Sequence, residues 1–210
     1  QINEIKLLFD KTVEQDNERK KILENQNEKL EQMVTIRTNE VNRQKSEIEL
    51  KNRDILDNLQ YAKRIQEAIL PEIKLIYQTL QDSFIIYLPK DIVSGDFYSF
   101  SQKNENVIIA AADCTGHGVT GAFMSMIGTS LLNQIINEHG ITEPAQILKN
   151  LNAGIIDALK QSEGEKEIHD GMDIALCSLD LKNSKLIYSG ANRPLWIFKN
   201  GEMSMIKPSK

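Results

Sequence analysis

The chain contains the stretch Val107-Ile108-Ile109-Ala110-Ala111-Ala112-Asp113-Cys114-Thr115-Gly116-His117-Gly118, an apolar run that ends in an aspartate and a glycine-rich loop. Upstream, Val93-Ser94-Gly95-Asp96-Phe97-Tyr98 carries a second aspartate, which follows the apolar run 84–88. Short apolar runs bounded by turn residues are typical of strands. The two stretches therefore predict neighbouring strands that each bring a carboxylate to one edge of a sheet.

Two carboxylates held close together repel each other unless a proton or a cation lies between them. Hard divalent cations such as Mg²⁺ and Mn²⁺ prefer oxygen ligands, and a bound metal makes water a nucleophile near neutral pH. Asp96 and Asp113 therefore predict a divalent-metal site with hydrolysis as its chemistry. Ser-Gly-Asp is also ordinary turn chemistry, so a turn aspartate is the alternative for Asp96 alone.

Length and charge restrict the function classes. The 210 residues suffice for one ordinary domain with an appendage, and the net charge of −5 without a basic stripe argues against nucleic-acid binding. No apolar run reaches the ~18 residues of a membrane helix, although an anchor upstream stays open. We interpret the chain, which begins with Gln1, as an internal fragment of a longer protein. Two cysteines in apolar contexts predict buried thiols and a cytoplasmic location.

Residues 1–70 contain no Pro or Gly and are rich in Glu, Lys, Asn and Gln, which predicts one long solvated helix. A seven-residue apolar ladder follows Val34, Val41, Ile48, Ile55, Ala62 and Ile69. The second core position of the heptad is occupied by the polar residues Thr38, Lys45 and Asn52. The pattern predicts a weak parallel coiled coil and a homodimer, with a stutter near 30–37. A single amphipathic helix lying on the chain's own domain is the alternative.

The remaining sequence predicts an α+β domain over 71–210, after a coiled-coil segment over 1–70. Pro71 ends the long helix, and a short helical turn follows at 73–80. Strands are predicted at 84–88, 96–101, 106–113, 172–181, 185–190, 194–199 and 202–206. Helices are predicted at 119–138, closed by Gly140, and from a Thr142 N-cap to about Lys160. Strands, then two helices, then a meander favour α+β.

Several ordered motifs together resemble the SpoIIE/RsbU-type bacterial serine/threonine phosphatases, members of the metal-dependent 2C-type superfamily. They are the two aspartate stretches, then Asp170-Gly171-Met172-Asp173-Ile174-Ala175, Tyr188-Ser189-Gly190-Ala191-Asn192-Arg193-Pro194-Leu195, and the helical stretch Tyr61-Ala62-Lys63-Arg64-Ile65-Gln66-Glu67-Ala68-Ile69-Leu70-Pro71. The resemblance covers residues 58–210. It implies a β-sandwich flanked by helices, of which this chain carries the N-terminal part.

The resemblance also implies a site. Asp96 and Asp113 would bind a pair of Mn²⁺ or Mg²⁺ ions, and Cys114 would contribute its backbone carbonyl. Much of the superfamily has glycine at position 114, and a carbonyl contact does not depend on that side chain. The loop Gly116, His117 and Gly118 would let the backbone approach metal or phosphate closely. Asp173 is a weaker candidate for the site, either as a residue next to the metal ligands or as a ligand of a third metal.

Other polar residues are assigned no function. His139 is interpreted as a histidine at a helix C-terminus, and His169 and Asp170 as residues of a polar loop. Arg193 is interpreted as a surface-loop arginine, with a phosphate contact as the alternative. The apolar residues of 119–138 are interpreted as a core helix, namely Phe123, Met124, Met126, Ile127, Leu131, Leu132, Ile135 and Ile136.

The function implied is that of a signalling protein phosphatase in which metal-activated water attacks phosphoserine or phosphothreonine. The resemblance implies a phosphoprotein substrate of the anti-anti-sigma type. The helix 1–70 would transmit a signal from an upstream sensor domain through a hinge at 68–71. The acidic residues of the family's later motifs are absent from these 210 residues. We therefore expect weak or no activity from this chain alone.

Two alternatives stay open. Asp113-Cys114-Thr115-Gly116 superficially resembles the Asp-x-Thr-Gly of hydrolases that form an aspartyl phosphate, which would make Asp113 a nucleophile but leaves 93–98 without a role. The chain could also belong to a catalytically degenerate dimeric scaffold, a pseudo-phosphatase. A histidine-kinase dimerisation helix is excluded, because no histidine precedes His117.

Overall fold

The protein is described by a computed structural model that covers residues 2–161 and 170–208. The chain divides into two compact units, Gln1–Leu56 and Asp57–Lys210. Helix α1 (Ile2–Ile69) runs through the first unit and ends within the second, two residues before Pro71. The absence of Pro and Gly from residues 1–70 accounts for its continuity, since these two residues are the least favourable in helix interiors.

The first unit is an exposed helix surface. Its apolar ladder is open to solvent, with exposures of 57% at Val34, 59% at Val41, 58% at Ile48 and 56% at Ile55. Residues one helical turn apart form ion pairs on the surface, such as Glu40–Arg43 at 2.8 Å. Exposed pairs of this kind contribute little to stability. The helix therefore carries an apolar stripe that its own unit does not cover.

The second unit contains a four-stranded antiparallel sheet in the order β1-β2-β3-β4 and a separate hairpin, β5–β6. The strand bounds are Asp96–Lys103, Asn106–Cys114, Met172–Asp180, Lys185–Ala191, Leu195–Lys199 and Glu202–Ile206. The hairpin turns at Asn200 and Gly201, both with positive φ (53° and 81°), as the two-residue Asn-Gly signal predicts. Six of the seven predicted strands are therefore confirmed.

The predicted strand at 84–88 is wrong. This segment is extended but pairs with no strand in the described residues, and Phe84, Ile86 and Leu88 are 80%, 76% and 86% exposed. Ile85 packs against the small cluster of Ile76, Phe100 and Val107, and Tyr87 packs edge-on against Tyr98 and donates a hydrogen bond to the Asp96 carbonyl at 3.2 Å. A strand requires a hydrogen-bonding partner, and an apolar run cannot show whether that partner is present.

Three further helices belong to this unit. Helix α2 is Ile73–Thr79, α3 is Gly118–Asn133 and continues as a π-helical turn over Gln134–Glu138, and α4 is Pro144–Ala158. Helices α3 and α4 pack on one face of the sheet around a core that includes Phe97, Ile108, Leu132, Ile136, Ile147, Leu151, Ile174 and Leu176. The architecture is the predicted α+β class, with a sheet covered by helices.

The start of α4 differs from the prediction. Its N-cap is Glu143 rather than Thr142, and the Glu143 carboxylate accepts hydrogen bonds from the backbone N–H groups of Ala145 (3.2 Å) and Gln146 (2.7 Å). Pro144 occupies the first helical position, so the cap falls on the residue directly before it. At the end of the preceding helix, Gly140 has φ +71°, as predicted.

The segment Gly118–Glu138 is long and apolar enough to cross a membrane by length and composition alone. Core helices pass the same test, and this one buries Leu132 and Ile136 almost completely against the sheet. We therefore assign its apolarity to the core. Phe123 departs from the predicted core set, because its side chain is 63% exposed.

A buried glutamine joins the end of α1 to the sheet. Gln66 is 4% exposed and donates hydrogen bonds to the Ser94 carbonyl (2.6 Å) and the Ser125 hydroxyl (2.7 Å). Its own carbonyl accepts the Ser94 backbone N–H at 3.0 Å. Ser125 also donates to Ala122 at 2.9 Å, so both buried side chains are satisfied. One helix side chain thus holds the backbone two residues before Asp96.

Replacing Gln66 by leucine should lower the free energy of unfolding of the second unit by about 2–3 kcal/mol, because buried Ser94 groups lose their partners. The effect is measured by urea unfolding of the 210-residue chain. Gln60→Leu is the matched control, since Gln60 lies on the same helix but is exposed. Equal stability of the two variants would contradict the role assigned to Gln66.

Candidate metal centre

Three aspartates lie side by side at one end of the sheet. Asp96 pairs in register with Asp113, and Asp113 pairs in register with Asp173. Residues directly opposite each other in an antiparallel pair project to the same face, and adjacent strands are ~4.8 Å apart. We call these three residues the aspartate row. Their carboxylates are therefore forced close together by strand register alone.

Arg193 contacts the aspartate row from the segment that follows β4. Its guanidinium donates a hydrogen bond to Asp113 Oδ2 and lies 3.5 Å from Asp173 Oδ2. Asn192 donates from its side-chain amide to Asp173 Oδ1 at 2.9 Å. Arg193 is a surface-loop residue, as interpreted, and its side chain is 46% exposed. Its contact with the aspartates was not predicted, because the bridge between Asn192 and Ile174, which brings residue 193 to the start of β3, is not visible in the motif.

The pKa of the Asp96 carboxyl group is raised. Partial burial raises its pKa above the ordinary value of 3.8, and the hydrogen bond and negative charge of Asp113 raise it further. Arg193 acts in the opposite direction and lowers the pKa of Asp96. Asp96 and Asp113 thus behave as a pair that favours a proton, or another positive charge, between them.

Cys114 faces the core rather than the row. Its side chain is 5% exposed, and burial, followed by the charges of Asp113 and Asp96, raises the pKa of the thiol to about 12. The thiol therefore stays neutral at physiological pH. The Cys114 carbonyl oxygen lies 3.3 Å from the point where a Cβ on Gly95 would stand. The backbone at Cys114 thus packs directly beside the Asp96 motif.

Glycines allow this close packing of backbones behind the row. A Cβ on Gly121 would lie 2.7 Å from the Gly116 oxygen and 2.9 Å from the Gly95 Cα. Gly116 also has φ +86°, a conformation that favours glycine. Positions 95, 116 and 121 therefore bring the first turn of α3 against both aspartate motifs.

His117 lies in the loop but does not contact the row. Its imidazole is 91% exposed, and its nearest charged partner is Asp91 at 3.6 Å. The neighbouring Thr115 instead ties the loop to the start of β3, where its hydroxyl donates to Asp170 at 2.9 Å and its N–H donates to the Gly171 carbonyl at 3.0 Å. Asp170 thus has a structural contact that its motif did not predict.

A groove of about 760 Å³ runs from the row along the face of the sheet opposite α3 and α4. Asp96, Asp113 and Arg193 line its polar end. Apolar side chains from 84–88 and Trp196 line the remainder. The row is therefore accessible from an open face rather than enclosed in the core.

The structure brings Asp96, Asp113 and Asp173 together and leaves the His117 side chain apart. His139 is exposed at the end of the π-helical turn, and His169 lies outside the described residues. In residues 2–161 and 170–208, no group of three or more His, Cys, Asp or Glu side chains is arranged to hold a metal by itself. Sequence reasoning assigned no role to Gln66, although this residue lies in the stretch 61–71 that carries the family resemblance.

The structure is similar to the SiaA-PP2C domain of Pseudomonas aeruginosa, with a TM-score of 0.68 and 31% identity. The match covers 76% of this chain and 62% of that chain. The PP2C domain of SpoIIE from Bacillus subtilis also matches, with a TM-score of 0.45, 25% identity and coverage of 56% and 33% of the two chains. The similarity to the SiaA domain defines the fold as PP2C-type.

The family model of Stage II sporulation protein E (SpoIIE) matches residues 103–209, slightly more than half of the chain. The chain therefore belongs to the SpoIIE family. It is also 35% identical over 100 residues to the phosphoserine phosphatase RsbU of Bacillus subtilis (strain 168). These 100 residues cover 47% of this chain and 29% of that relative. The chain thus spans less than a third of the length of this curated relative.

Without divalent cations, Asp96→Asn should raise the thermal midpoint of the second unit at pH 7 and have a smaller effect near pH 4. The raised folded pKa means that stability from protonated Asp96 is present below 3.8 and is lost as pH rises through the folded value. We expect a gain of about 1–3 °C at pH 7, because exposed charge pairs contribute little.

Thermal melts in chelator at both pH values measure this effect, and Asp157→Asn, an exposed residue of α4, removes the same charge at a distance. A loss of stability in Asp96→Asn at pH 7, or the same gain in the Asp157 variant, would contradict the interpretation.

Proposed function

We propose that this chain belongs to a metal-dependent serine/threonine protein phosphatase, in which residues 71–210 form the N-terminal part of the phosphatase domain. The observation that carries the proposal is the in-register row Asp96, Asp113 and Asp173 in a chain of the SpoIIE family. The similarity to a protein named phosphoserine phosphatase supports the substrate class. The substrate would be a phosphoprotein, and the sequence resemblance implies one of the anti-anti-sigma type.

Asp96 and Asp113 would hold the metal, with the Cys114 carbonyl as a further oxygen ligand and Asp173 beside them. The donor set fits Mn²⁺ or Mg²⁺, since it consists of oxygens and already attracts a cation, the Arg193 guanidinium. Two such ions in the complete domain would supply an activated water and neutralise phosphoryl charge. The neutral Cys114 thiol, buried in the core, would not compete as a ligand.

The chain's own residues would orient the phosphoryl group. Gly116, His117 and Gly118 place a flexible backbone at the N-terminus of α3, where free N–H groups favour anions. The His117 side chain points to Asp91 rather than to the row, so we propose a backbone role for this loop. A divalent cation at Asp96 and Asp113 would offset the repulsion that contributes to the raised pKa of Asp96.

Helix α1 would transmit a signal from an upstream sensor domain to the site. The contact that supports this proposal is Gln66, which holds both backbone groups of Ser94. Ser94 in turn accepts the N–H of Asp96 through its hydroxyl at 3.0 Å. A rotation near 68–71 would therefore reach the ligand Asp96 through two hydrogen-bonded residues.

We propose that the protein acts in the cytoplasm, which suits its two buried free thiols. An upstream membrane anchor is compatible with this location. Partners would be the phosphoprotein substrate, the sensor domain and a second copy of the chain through residues 1–70. The apolar ladder at 34, 41, 48 and 55, exposed within its own unit, supports the second copy.

Asp113→Asn in the protein extended beyond Lys210 should reduce Mn²⁺-dependent phosphate release from a phosphoserine protein by about 10²-fold or more, because the central charge of the row is lost. Asp157→Asn is the control and should retain activity. We also expect the 210-residue chain alone to hydrolyse weakly, since it lacks the family's later acidic motifs. Full activity of Asp113→Asn would contradict the proposal, and inactivity of all variants would favour the scaffold alternative.

The 210-residue chain should form dimers that Ile48→Lys weakens at least tenfold, because a lysine in the apolar ladder places a charge at the helix interface. Sedimentation equilibrium measures the dimer dissociation constant. Ser46→Lys adds the same charge at an exposed position two residues away and should leave the constant unchanged. Monomeric wild type, or equal effects of both lysines, would exclude dimerisation through this ladder.

A further inference from the structure

The segment around Arg193 is built to hold this side chain at the aspartate row. The Tyr188 hydroxyl donates to the Arg193 carbonyl, and Asn192, at φ +58°, forms a parallel bridge with Ile174. A Cβ on Gly190 would collide with both the Tyr188 hydroxyl and the Arg193 carbonyl, so glycine is required there. The backbone of Arg193 is therefore fixed on both sides, which an incidental surface arginine would not need.

Charge explains what the arginine does in this position. The row carries three carboxyl groups, and in the described part of the chain the ion pairs to it all come from Arg193. The guanidinium contacts Asp113, the central member, and lies within ion-pair distance of Asp173. A planar guanidinium can bridge two carboxylates in this way. Arg193 thus neutralises part of the repulsion that strand register imposes.

A divalent cation on the same Asp113 oxygen would stand within a few ångströms of the guanidinium. The two positive charges would repel each other at that distance, more strongly at a partly buried site than in water. Asp173 offers the guanidinium a second anchor that does not require Asp113, and Asn192 orients that carboxylate from its other oxygen. Arg193 can therefore pair with Asp173 when a cation binds Asp113.

We propose that Arg193 is an exchangeable counter-ion of the site: it pairs with Asp113 in the metal-free domain and moves onto Asp173 when a divalent cation binds Asp96 and Asp113. The inference rests on the metal site of the proposed function and goes beyond it, because it assigns a residue that competes with the metal. Metal affinity is then lower than the carboxylates alone would give.

The test is Mn²⁺ binding to the 210-residue chain, measured by the EPR signal of free Mn²⁺. Arg193→Gln should bind Mn²⁺ about 3–10-fold more tightly than wild type, since removing a competing exposed pair changes the equilibrium by roughly 1 kcal/mol. Lys185→Gln removes the same charge and is the control. Lys185 lies opposite Asp180 in the β3–β4 pairing, at the end of the sheet away from the aspartate row. The control should bind with wild-type affinity.

Thermal melts supply a second readout. Arg193→Gln should lower the midpoint in chelator, and saturating Mn²⁺ should remove most of that difference, as linkage requires. A purely structural arginine would instead lower both midpoints equally and leave the affinity unchanged. Arg193→Lys keeps the charge but cannot bridge two carboxylates, and we expect an affinity between those of wild type and Arg193→Gln.

The outcomes separate the two proposals. Mn²⁺ binding to wild type with equal or weaker binding to Arg193→Gln overturns the exchange and leaves the metal site intact. If Arg193→Gln does not fold, Arg193→Lys carries the test, and an affinity at or below that of wild type overturns the exchange. Absence of Mn²⁺ binding in every variant overturns both the metal site and the exchange.

Discussion

Strand register is the constraint on which the site depends. Antiparallel pairing sets Asp96, Asp113 and Asp173 opposite one another on adjacent strands, and a shift by one residue would turn every side chain to the other face. The fold therefore concentrates negative charge at one end of the sheet, and that charge is destabilising unless it is compensated. Partial protonation of Asp96, the Arg193 guanidinium and a bound metal are three ways to compensate the same repulsion.

The surrounding structure supports that register. Gly95, Gly116 and Gly121 let the first turn of α3 approach the two aspartate motifs, while Phe97 and Ile174 anchor the strands in the core. Gln66 fixes the Ser94 backbone before Asp96 by two hydrogen bonds and donates a third to Ser125 of α3. The end of α1 is thus part of the support of the site, and the proposed signal transmission through α1 would use this contact.

Much of this could be predicted from the sequence. The strand that begins at Asp96 and the apolar run that ends in Asp113 could be predicted because local periodicity and turn residues act over short distances, and Asn-Gly predicted its hairpin for the same reason. The role of Arg193 could not be predicted, since it depends on pairing between residues eighty positions apart. The predicted strand at 84–88 was wrong for a related reason. An apolar pattern predicts a strand, but a strand forms only where a neighbouring strand accepts and donates its hydrogen bonds.

The proposed phosphatase requires a divalent cation at the aspartate row. Anomalous diffraction from crystals of the 210-residue chain soaked in Mn²⁺ tests this requirement, because it locates the metal without relying on activity. We expect a peak between the carboxylates of Asp96 and Asp113, within about 2–2.5 Å of their oxygens. A Mn²⁺ peak at another place, or none at the row under saturating Mn²⁺, would contradict it.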